Sequence, residues 1–254
     1  MPVQIDLSGK AALVTGGSRG LGASVCRQLA AAGAAVAVHY ASSPERATKV
    51  VESISTAGGR AIAVGGDFHR QEDVERVARE AREQLGDIAI LVNNVGREET
   101  TGPALAQGWD AFQGIWDLNV RSAYLLTRAL VPGMKRARYG RIVNVLSMAA
   151  HSYPKGMAAY STAKTAFGGF TRALAVELGS DGITVNSVAP GWIPVERHGP
   201  GSLPGRMATA ARTPLGHLGT PEDVAGAVLY LVSGLAGFVT GIEIPVCGGV
   251  QLLT

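Results

Sequence analysis

Short apolar runs alternate with longer, helix-periodic segments along the whole chain, and this alternation limits the possible folds more than any other feature. The runs that predict strands lie at about 10–15, 34–40, 60–65, 88–93, 140–146, 182–188 and 241–246. The segments that predict helices lie at about 20–32, 44–57, 71–85, 109–136, 157–179 and 221–233. Seven strands that alternate with helices indicate right-handed βαβ units, and hence a parallel sheet with helices on both faces. Because no linker interrupts the chain, we predict one α/β domain over residues 1–254.

Composition and charge argue against several classes of protein. The chain is 46% hydrophobic with a net charge of +3, and its Lys and Arg residues are scattered, so a nucleic-acid partner is not expected. The two cysteines, Cys26 and Cys247, stand in no metal-ligand or CxxC pattern. The N-terminus lacks the features of a signal peptide, and no apolar run is long enough to cross a membrane. We therefore expect a cytoplasmic protein with no metal site and no membrane partner.

A tyrosine and a lysine stand four residues apart in the segment Tyr160-Ser161-Thr162-Ala163-Lys164. This spacing puts both side chains on one face of a helix. An ammonium beside a phenol favours the phenolate, so Lys164 can lower the pKa of Tyr160 toward neutral pH and make it a proton donor or acceptor. Ser147 directly follows the apolar run 142–146. A buried parallel strand would deliver that hydroxyl to the carboxyl edge of the sheet.

The first predicted strand leads into a glycine-rich turn, Thr15-Gly16-Gly17-Ser18-Arg19-Gly20-Leu21-Gly22, and then into an alanine-rich helix. Glycines allow backbone N–H groups to approach a pyrophosphate, and the amino end of a helix adds partial positive charge. The glycine spacing is GxxxGxG, which differs from the GxGxxG of the common dinucleotide fingerprint. Its place between a strand and a helix indicates a dinucleotide phosphate site.

The motifs together resemble the short-chain dehydrogenase/reductase family over essentially the whole chain. In order, they are TGxxxGxG at 15–22, Asn93-Asn94-Val95-Gly96, Asn119, Ser147, Tyr160-x-x-x-Lys164 and Pro190-Gly191. The resemblance implies a single-domain Rossmann fold with a seven-stranded parallel sheet and a site at the carboxyl ends of the strands. Within the family, the chain is most similar in style to β-ketoacyl reductase-like ketoreductases.

The resemblance also implies roles for individual residues. Tyr160 would be the general acid in ketone reduction and the base in alcohol oxidation, and Lys164 would lower its pKa and hold the nicotinamide ribose. Ser147 would position the substrate oxygen, and Asn119 would anchor a water in a proton relay, although a helix-surface or merely buried amide is the alternative for it. The other implied cofactor contacts are Gly16, Ser18, Arg19, Gly20, Leu21, Gly22, Asp67, Phe68, Asn94, Gly96, Pro190, Gly191 and Ile193.

The end of the second strand bears on the choice of cofactor. In this fold an acidic residue there binds the adenosine ribose and repels a 2′-phosphate. That place falls at Tyr40, and no carboxylate follows until Glu45, while Arg19 and Ser42 could bind the phosphate. We therefore favour NADP(H), with NAD(H) as the alternative. For Asp67, the alternative to an adenine contact is a cap on the helix that starts near residue 70.

A substrate pocket is expected between the segments 97–106 and 148–157 and the stretch after Gly191. That stretch is rich in Gly and Pro to about residue 206, and we interpret it as a substrate lid at about 191–213. The pocket candidates are mostly apolar: Met148, Tyr153, Met157 and Trp192. The family's ketoreductases tend to dock an acidic carrier protein through arginines; Arg138 matches one, but Asp181 replaces the other. This replacement favours a free or differently tethered substrate.

The sequence therefore predicts an NADP(H)-dependent oxidoreductase that interconverts a small-molecule ketone and a secondary alcohol by hydride transfer. Two alternatives remain open: an NAD-dependent sugar or secondary-alcohol dehydrogenase, and a non-catalytic nucleotide-sensing protein on the same fold. The helical segments 109–136 and 157–179 resemble those through which the family associates, so we expect a homotetramer built as a dimer of dimers.

Overall fold

A computed structural model describes residues 5–96, 101–196, 199 and 203–250 of the chain. Within these residues, the strands are β1 Ala11–Val14, β2 Ala35–Tyr40, β3 Arg60–Gly65, β4 Ile88–Asn93, β5 Gly140–Val145, β6 Ile183–Pro190 and β7 Glu243–Val246. All pair in parallel to form one sheet in the order β3-β2-β1-β4-β5-β6-β7. Each strand predicted from the sequence is present, and the predicted fold class is confirmed.

The helices of the described part connect the strands in chain order. They are α1 Gly20–Ala31, α2 Pro44–Thr56, α3 Gln71–Leu85, α4 Trp109–Trp116, α5 Ser122–Ala137, α6 Ala149–Ser152, α7 Ala158–Leu178, α8 Leu203–Arg212 and α9 Pro221–Val232. Alternate residues of a strand face opposite sides of the sheet, so each strand contributes to two cores. In β1, Val14 packs in the core that includes residues of α1, α2 and α9, whereas Leu13 packs in the core that includes residues of α3, α5 and α7. Helices therefore cover both faces, as predicted.

Two parts of the helical prediction differ from the structure. The segment 109–136 is interrupted, because a π-helical turn at Asp117–Arg121 separates α4 from α5. The predicted irregular stretch ends early, because α8 begins at residue 203. Alanines at 208, 210 and 211 favour that helix. Of the predicted lid, residues 197–198 and 200–202 lie outside the described residues, as do residues 97–100 of the pocket wall.

The order of the strands places a crevice at the carboxyl edge of the sheet. The chain extends from β1 through β2 to β3, and then returns to β4 on the other side of β1. Loops that leave β1 and β4 therefore turn to opposite faces, and ligands of such sheets bind in the gap between them. A cavity of about 1350 Å³ opens at this edge, lined by segments that follow β1, β2, β3, β4, β5, β6 and β7.

Candidate active site

Lys164 is the most deeply buried charged side chain of the candidate site. It is 2% exposed, and its Nζ donates a hydrogen bond of 2.7 Å to the carbonyl oxygen of Val145, the last residue of β5. Its Nζ lies 5.6 Å from the ring centroid of Tyr160, one turn earlier on α7. Burial lowers the pKa of Lys164 from 10.5 to about 7. The lysine is therefore poised between ammonium and amine near neutral pH.

Ser147 approaches the same cavity from the end of β5. It stands two residues beyond the strand, and its Oγ accepts a hydrogen bond of 3.2 Å from the N–H of Ala149, where α6 begins. Ser147, Tyr160 and Lys164 all line the cavity. The fold thus brings together a hydroxyl, a phenol and an amine that the sequence predicted to share one site.

Asn119 lies in the π-helical turn, behind the wall of the cavity. It is 1% exposed, which excludes a helix-surface position, and its Nδ2 donates a hydrogen bond of 2.8 Å to the carbonyl oxygen of Ile115. Its Oδ1 is buried, and no hydrogen bond to it is found in the part of the chain that the structure describes. A Cβ added to Gly96 would lie 2.5 Å from Asn119 Oδ1 and 2.9 Å from Lys164 Nζ. Both atoms therefore lie against the same glycine, and the unpartnered acceptor fits a water-mediated link to the lysine.

The glycine-rich turn forms the opposite end of the cavity, where the dinucleotide phosphates were predicted. Gly16, Ser18, Arg19, Gly20, Leu21 and Gly22 all line it. A Cβ at Gly22 would lie 2.2 Å from the carbonyl oxygen of Gly16, so only glycine fits there. Residue 20 begins α1, whose first turn carries no acidic residue. A small cradle of glycines at the amino end of a helix suits an anionic phosphate group.

The loop after β4 is tied to this turn by hydrogen bonds. Thr15 Oγ1 accepts from the backbone N–H groups of Asn94 and Val95, each at 2.8 Å. The Asn94 Nδ2 donates to the carbonyl oxygens of Thr15 at 2.8 Å and Gly16 at 3.3 Å. Asn94 and Gly96 line the cavity, as do Pro190, Gly191 and Ile193 from the end of β6. The residues that the sequence predicted as cofactor contacts in these loops therefore line the cavity.

At the far end of the cavity, the structure corrects the prediction for Tyr40. Ser42, Asp67 and Phe68 line the cavity, but Tyr40 does not. A Cβ at Gly65 would lie 2.7 Å from Tyr40 Cζ, so the tyrosine ring covers that glycine instead. Successive strand residues point to opposite faces, and His39 takes the position at the cavity. A histidine in the otherwise apolar second strand was the signal that the sequence prediction missed.

Asp67 takes part in a local turn rather than capping a helix. Its Oδ1 accepts from the N–H of His69 at 3.0 Å, and its own N–H donates to Asp73 Oδ2 at 2.8 Å. The N-cap of α3 is Arg70. The capping alternative for Asp67 is therefore wrong.

The substrate side of the cavity combines the loop after β5 with the segment after β6. Met148, Met157 and Trp192 line it, with α8 contributing several residues near its end. Tyr153 does not: it is 62% exposed, and its φ of 45° at the end of α6 directs the chain into a left-handed turn. Tyr153 is therefore not part of the candidate pocket. Cys247, just after β7, also lines it and was not predicted.

The segment after β6 passes close to the amino end of α1. A Cβ at Gly20 would lie 3.2 Å from Val195 Cγ1 and 3.7 Å from Glu196 Oε2. Trp192 approaches α8, where a Cβ on Gly205 would lie 3.8 Å from its ring. The described part of the predicted lid thus forms a wall that reaches from the glycine-rich turn to the substrate side.

The fold and the site define an α/β oxidoreductase that binds a dinucleotide at the carboxyl edge of its sheet. A family model described as enoyl-(acyl carrier protein) reductase matches residues 16–251. A 3-oxoacyl-(acyl-carrier-protein) reductase of Pseudomonas aeruginosa is 36% identical over 248 residues, which cover 98% of this chain and 100% of that protein.

Solved structures agree with the sequence comparisons. A dehydrogenase/reductase from Sinorhizobium meliloti has a TM-score of 0.88 at 37% identity and covers 97% of both chains. A Beutenbergia cavernae protein, provisionally assigned as an NAD(P)-dependent gluconate 5-dehydrogenase with bound NADP at low occupancy, has a TM-score of 0.91 at 31% identity. It covers 99% of this chain and 100% of its own. This chain belongs to the short-chain dehydrogenase/reductase family, and it is an oxidoreductase that acts on CH–OH or C=O groups with a nicotinamide cofactor.

None of the described helices is both long enough and apolar enough to cross a bilayer. Across the same residues, no group of three or more His, Cys, Asp or Glu side chains is arranged to hold a metal ion.

Proposed function

We propose that the protein interconverts a ketone and a secondary alcohol with NADP(H), and that Tyr160 is its general acid and base. The observation that carries this proposal is the convergence of Ser147, Tyr160 and Lys164 on one cavity that also contains the glycine-rich turn. The cofactor, when bound, gives or takes the hydride at the substrate carbon. The protein then has to orient the substrate and move one proton on the substrate oxygen.

In the reduction direction, Tyr160 donates its phenolic proton to the carbonyl oxygen, and Ser147 holds that oxygen by a hydrogen bond. Lys164 has two tasks in this scheme: it binds the ribose hydroxyls, and as an ammonium it favours the phenolate of Tyr160. Burial works against the ammonium, since it lowers the pKa of Lys164 to about 7. The carbonyl oxygen of Val145 accepts a hydrogen bond from the Nζ and stabilises it, and Asn119 Oδ1 would act on it through a bridging water.

The choice of NADP(H) over NAD(H) rests on the end of β2. The residues after that strand that line the cavity, Ala41, Ser42 and Ser43, include no carboxylate to repel a 2′-phosphate. Arg19 lines the same end of the cavity and provides a permanent positive charge. The NADP bound to the Beutenbergia cavernae relative supports the same choice.

The surface near residue 138 favours a free substrate over one carried by an acidic protein. Asp181 lies 2.9 Å from Lys135 Nζ and 3.8 Å from Arg138 Nη1. The carboxylate therefore offsets the cations that would attract an acidic partner. The 3-oxoacyl-(acyl-carrier-protein) reductases among the relatives make a carrier-bound substrate the second candidate.

Exposed apolar side chains on the helices support the proposed homotetramer. The exposed side chains include Trp109 and Trp116 of α4, Tyr124 of α5 and Val176 of α7. Large apolar groups of this kind are typical of subunit contacts. Light scattering at micromolar concentration should give the mass of four chains, and a monomer would contradict the proposal.

The experiment that tests the function measures oxidation of NADPH and NADH in parallel over ketones, β-ketoesters, acyl thioesters and quinones. Turnover of a ketone with NADPH preferred is the expected result. A preference for NADH would contradict the assignment of Arg19 and Ser42. Tight cofactor binding without turnover over the whole panel would favour the non-catalytic alternative.

A further inference from the structure

His39 lies in a position that the proposed chemistry does not use. It is the next-to-last residue of β2, it is 1% exposed, and it lies at the wall of the cavity with its ring between Gly16 and Gly66. A buried polar side chain costs free energy unless its polar atoms are hydrogen-bonded. Both ring nitrogens of His39 are bonded, and both partners are backbone groups of the loops that enclose the cofactor end of the cavity.

The two hydrogen bonds determine the state of the ring. The backbone N–H of Gly16 donates to Nδ1 at 3.0 Å, and Nε2 lies 2.9 Å from the carbonyl oxygen of Gly66. An N–H can only donate and a carbonyl can only accept, so Nδ1 is the acceptor and Nε2 carries the proton. His39 therefore acts as a neutral bridge between two loops that are 50 residues apart in the chain.

On one side, the bridge fixes the first peptide groups of the glycine-rich turn. Gly16 has a φ of +62°, its N–H is held by His39, and its carbonyl oxygen accepts from Asn94 Nδ2 at 3.3 Å. The next N–H, of Gly17, donates to the carbonyl oxygen of His39 at 2.8 Å. The turn is thus held from both sides before any ligand binds, and such preorganisation lowers the ordering cost of binding.

On the other side, the bridge fixes the loop that carries Asp67 and Phe68. The Phe68 ring is buried and stacks on the imidazole, with ring centroids 3.8 Å apart and planes at 12°. Together with the Gly66 contact, this stacking holds the loop after β3 at a set distance from the glycine-rich turn. Both loops line the cofactor end of the cavity.

We propose that His39 is a positioning residue for the cofactor: its neutral imidazole holds the phosphate-binding turn and the opposing loop at the spacing that the adenosine half of the dinucleotide requires. This inference rests on the proposed function, because it assumes that the cofactor binds between these loops. His39 acts through Gly16 and Gly66 and leaves the chemistry at Tyr160 untouched.

The test compares variants of His39 in cofactor affinity, turnover and melting temperature. His39→Phe keeps a buried ring against Phe68 but removes both hydrogen bonds, and His39→Asn keeps an amide oxygen near the position of Nδ1. We expect His39→Phe to raise the Kd of NADPH about tenfold, which is the loss expected when one buried hydrogen bond is removed. The kcat at saturating cofactor should stay within about twofold of wild type. His39→Asn should recover most of that affinity.

A matched control separates positioning from general stability. Val36 is also buried in β2 but does not line the cavity, so Val36→Ala should lower the melting temperature without changing the Kd of NADPH. An unchanged Kd in His39→Phe would overturn the inference, and so would an equal loss in His39→Asn. If His39→Phe does not fold, His39→Asn is compared with His39→Gln, whose longer amide reaches toward Gly66 instead. The inference requires the His39→Asn variant to bind NADPH more tightly than the His39→Gln variant. Equal or reversed affinities overturn it.

The outcomes also separate this inference from the proposed function. Wild-type protein that binds and turns over NADPH, together with a His39→Phe variant of equal affinity, overturns only the role of His39. Wild-type protein that binds neither NADPH nor NADH overturns both.

Discussion

At the scale of single residues, the candidate site depends on how closely a few side chains can approach. Lys164 is held by the carbonyl oxygen of Val145, and Asn119 and Lys164 both lie against Gly96. These contacts hold the amine 5.6 Å from the ring centroid of Tyr160. The positions of these atoms therefore lead to separate predictions for the proton donor and for the glycine that packs behind it.

Replacing Tyr160 with Phe should remove the proton donor and little else. The proposed general acid contributes about 10²- to 10⁴-fold to the rate, so kcat should fall by at least about 100-fold. The Kd of NADPH should stay within about threefold, because the ring and its packing remain. Stopped-assay turnover and fluorescence titration measure the two quantities. Retention of more than a few per cent of the activity would contradict the assigned acid.

Replacing Gly96 with Ala should displace Lys164 or Asn119. The new Cβ would lie 2.5 Å from Asn119 Oδ1, closer than real contacts allow, so one of the groups must move. A displacement near 1 Å at a reacting geometry can cost on the order of 100-fold in rate, and we expect a loss of that order in kcat. Gly226→Ala is the control, since nothing lies within 4 Å of a Cβ there. Equal activity of the two variants would contradict the packing argument.

At the scale of elements, the strands and helices could be predicted because their hydrophobic periods are long and regular. The π-helical turn at Asp117–Arg121 could not, since its extra residue per turn leaves no pattern distinct from a continuous helix. The helix α8 was missed because glycines and prolines precede it closely. The motif glycines that the sequence assigned to the site, such as Gly16 and Gly96, line the cavity, and their cofactor contacts stay a prediction.

Side-chain direction explains the errors within the site. Tyr40 was taken as the end of β2, but pleating turns its ring onto Gly65 and leaves His39 at the cavity. Tyr153 points away because of its left-handed backbone at the end of α6. The directions of these two side chains cannot be predicted from sequence position alone. The direction of Tyr40 changes if the strand shifts by one residue, and that of Tyr153 depends on its backbone φ angle.

At the start of α9, the structure shows a full capping box, with a proline in the first turn. Thr220 Oγ1 accepts from the N–H of Asp223 at 3.3 Å, and Asp223 Oδ2 accepts from the N–H of Thr220 at 2.7 Å. Thr220→Ala should lower the free energy of unfolding by about 1 kcal/mol, whereas Thr220→Ser should be close to wild type. Denaturant unfolding measures both. An equal loss in the two variants would assign the effect to the methyl group rather than the hydroxyl.

At the scale of the whole molecule, two buried bases make stability depend on pH in the same direction. Burial lowers the pKa of His39 from 6.5 to about 4 and that of Lys164 from 10.5 to about 7. In each case the unfolded chain binds the proton over a range where the folded chain does not. The unfolded state then holds more protons, so the free energy of unfolding rises with pH across that range. The two ranges are about 4 to 6.5 for His39 and about 7 to 10.5 for Lys164.

Replacing Lys164 with Met tests the second range in the cofactor-free protein. Below about pH 7, the folded wild type contains a buried Lys164 ammonium. Above about pH 7, the folded side chain is a neutral amine, whereas the lysine of the unfolded chain stays charged up to about pH 10.5. The free energy of unfolding of wild type, minus that of Lys164→Met, should therefore increase between pH 7 and pH 10, by at most roughly 4 kcal/mol. Groups common to both proteins cancel in this difference, which guanidinium unfolding at several pH values would measure. A difference that stays constant over the range would show that Lys164 remains charged in the fold, and the ammonium would then be available to Tyr160 throughout the neutral range.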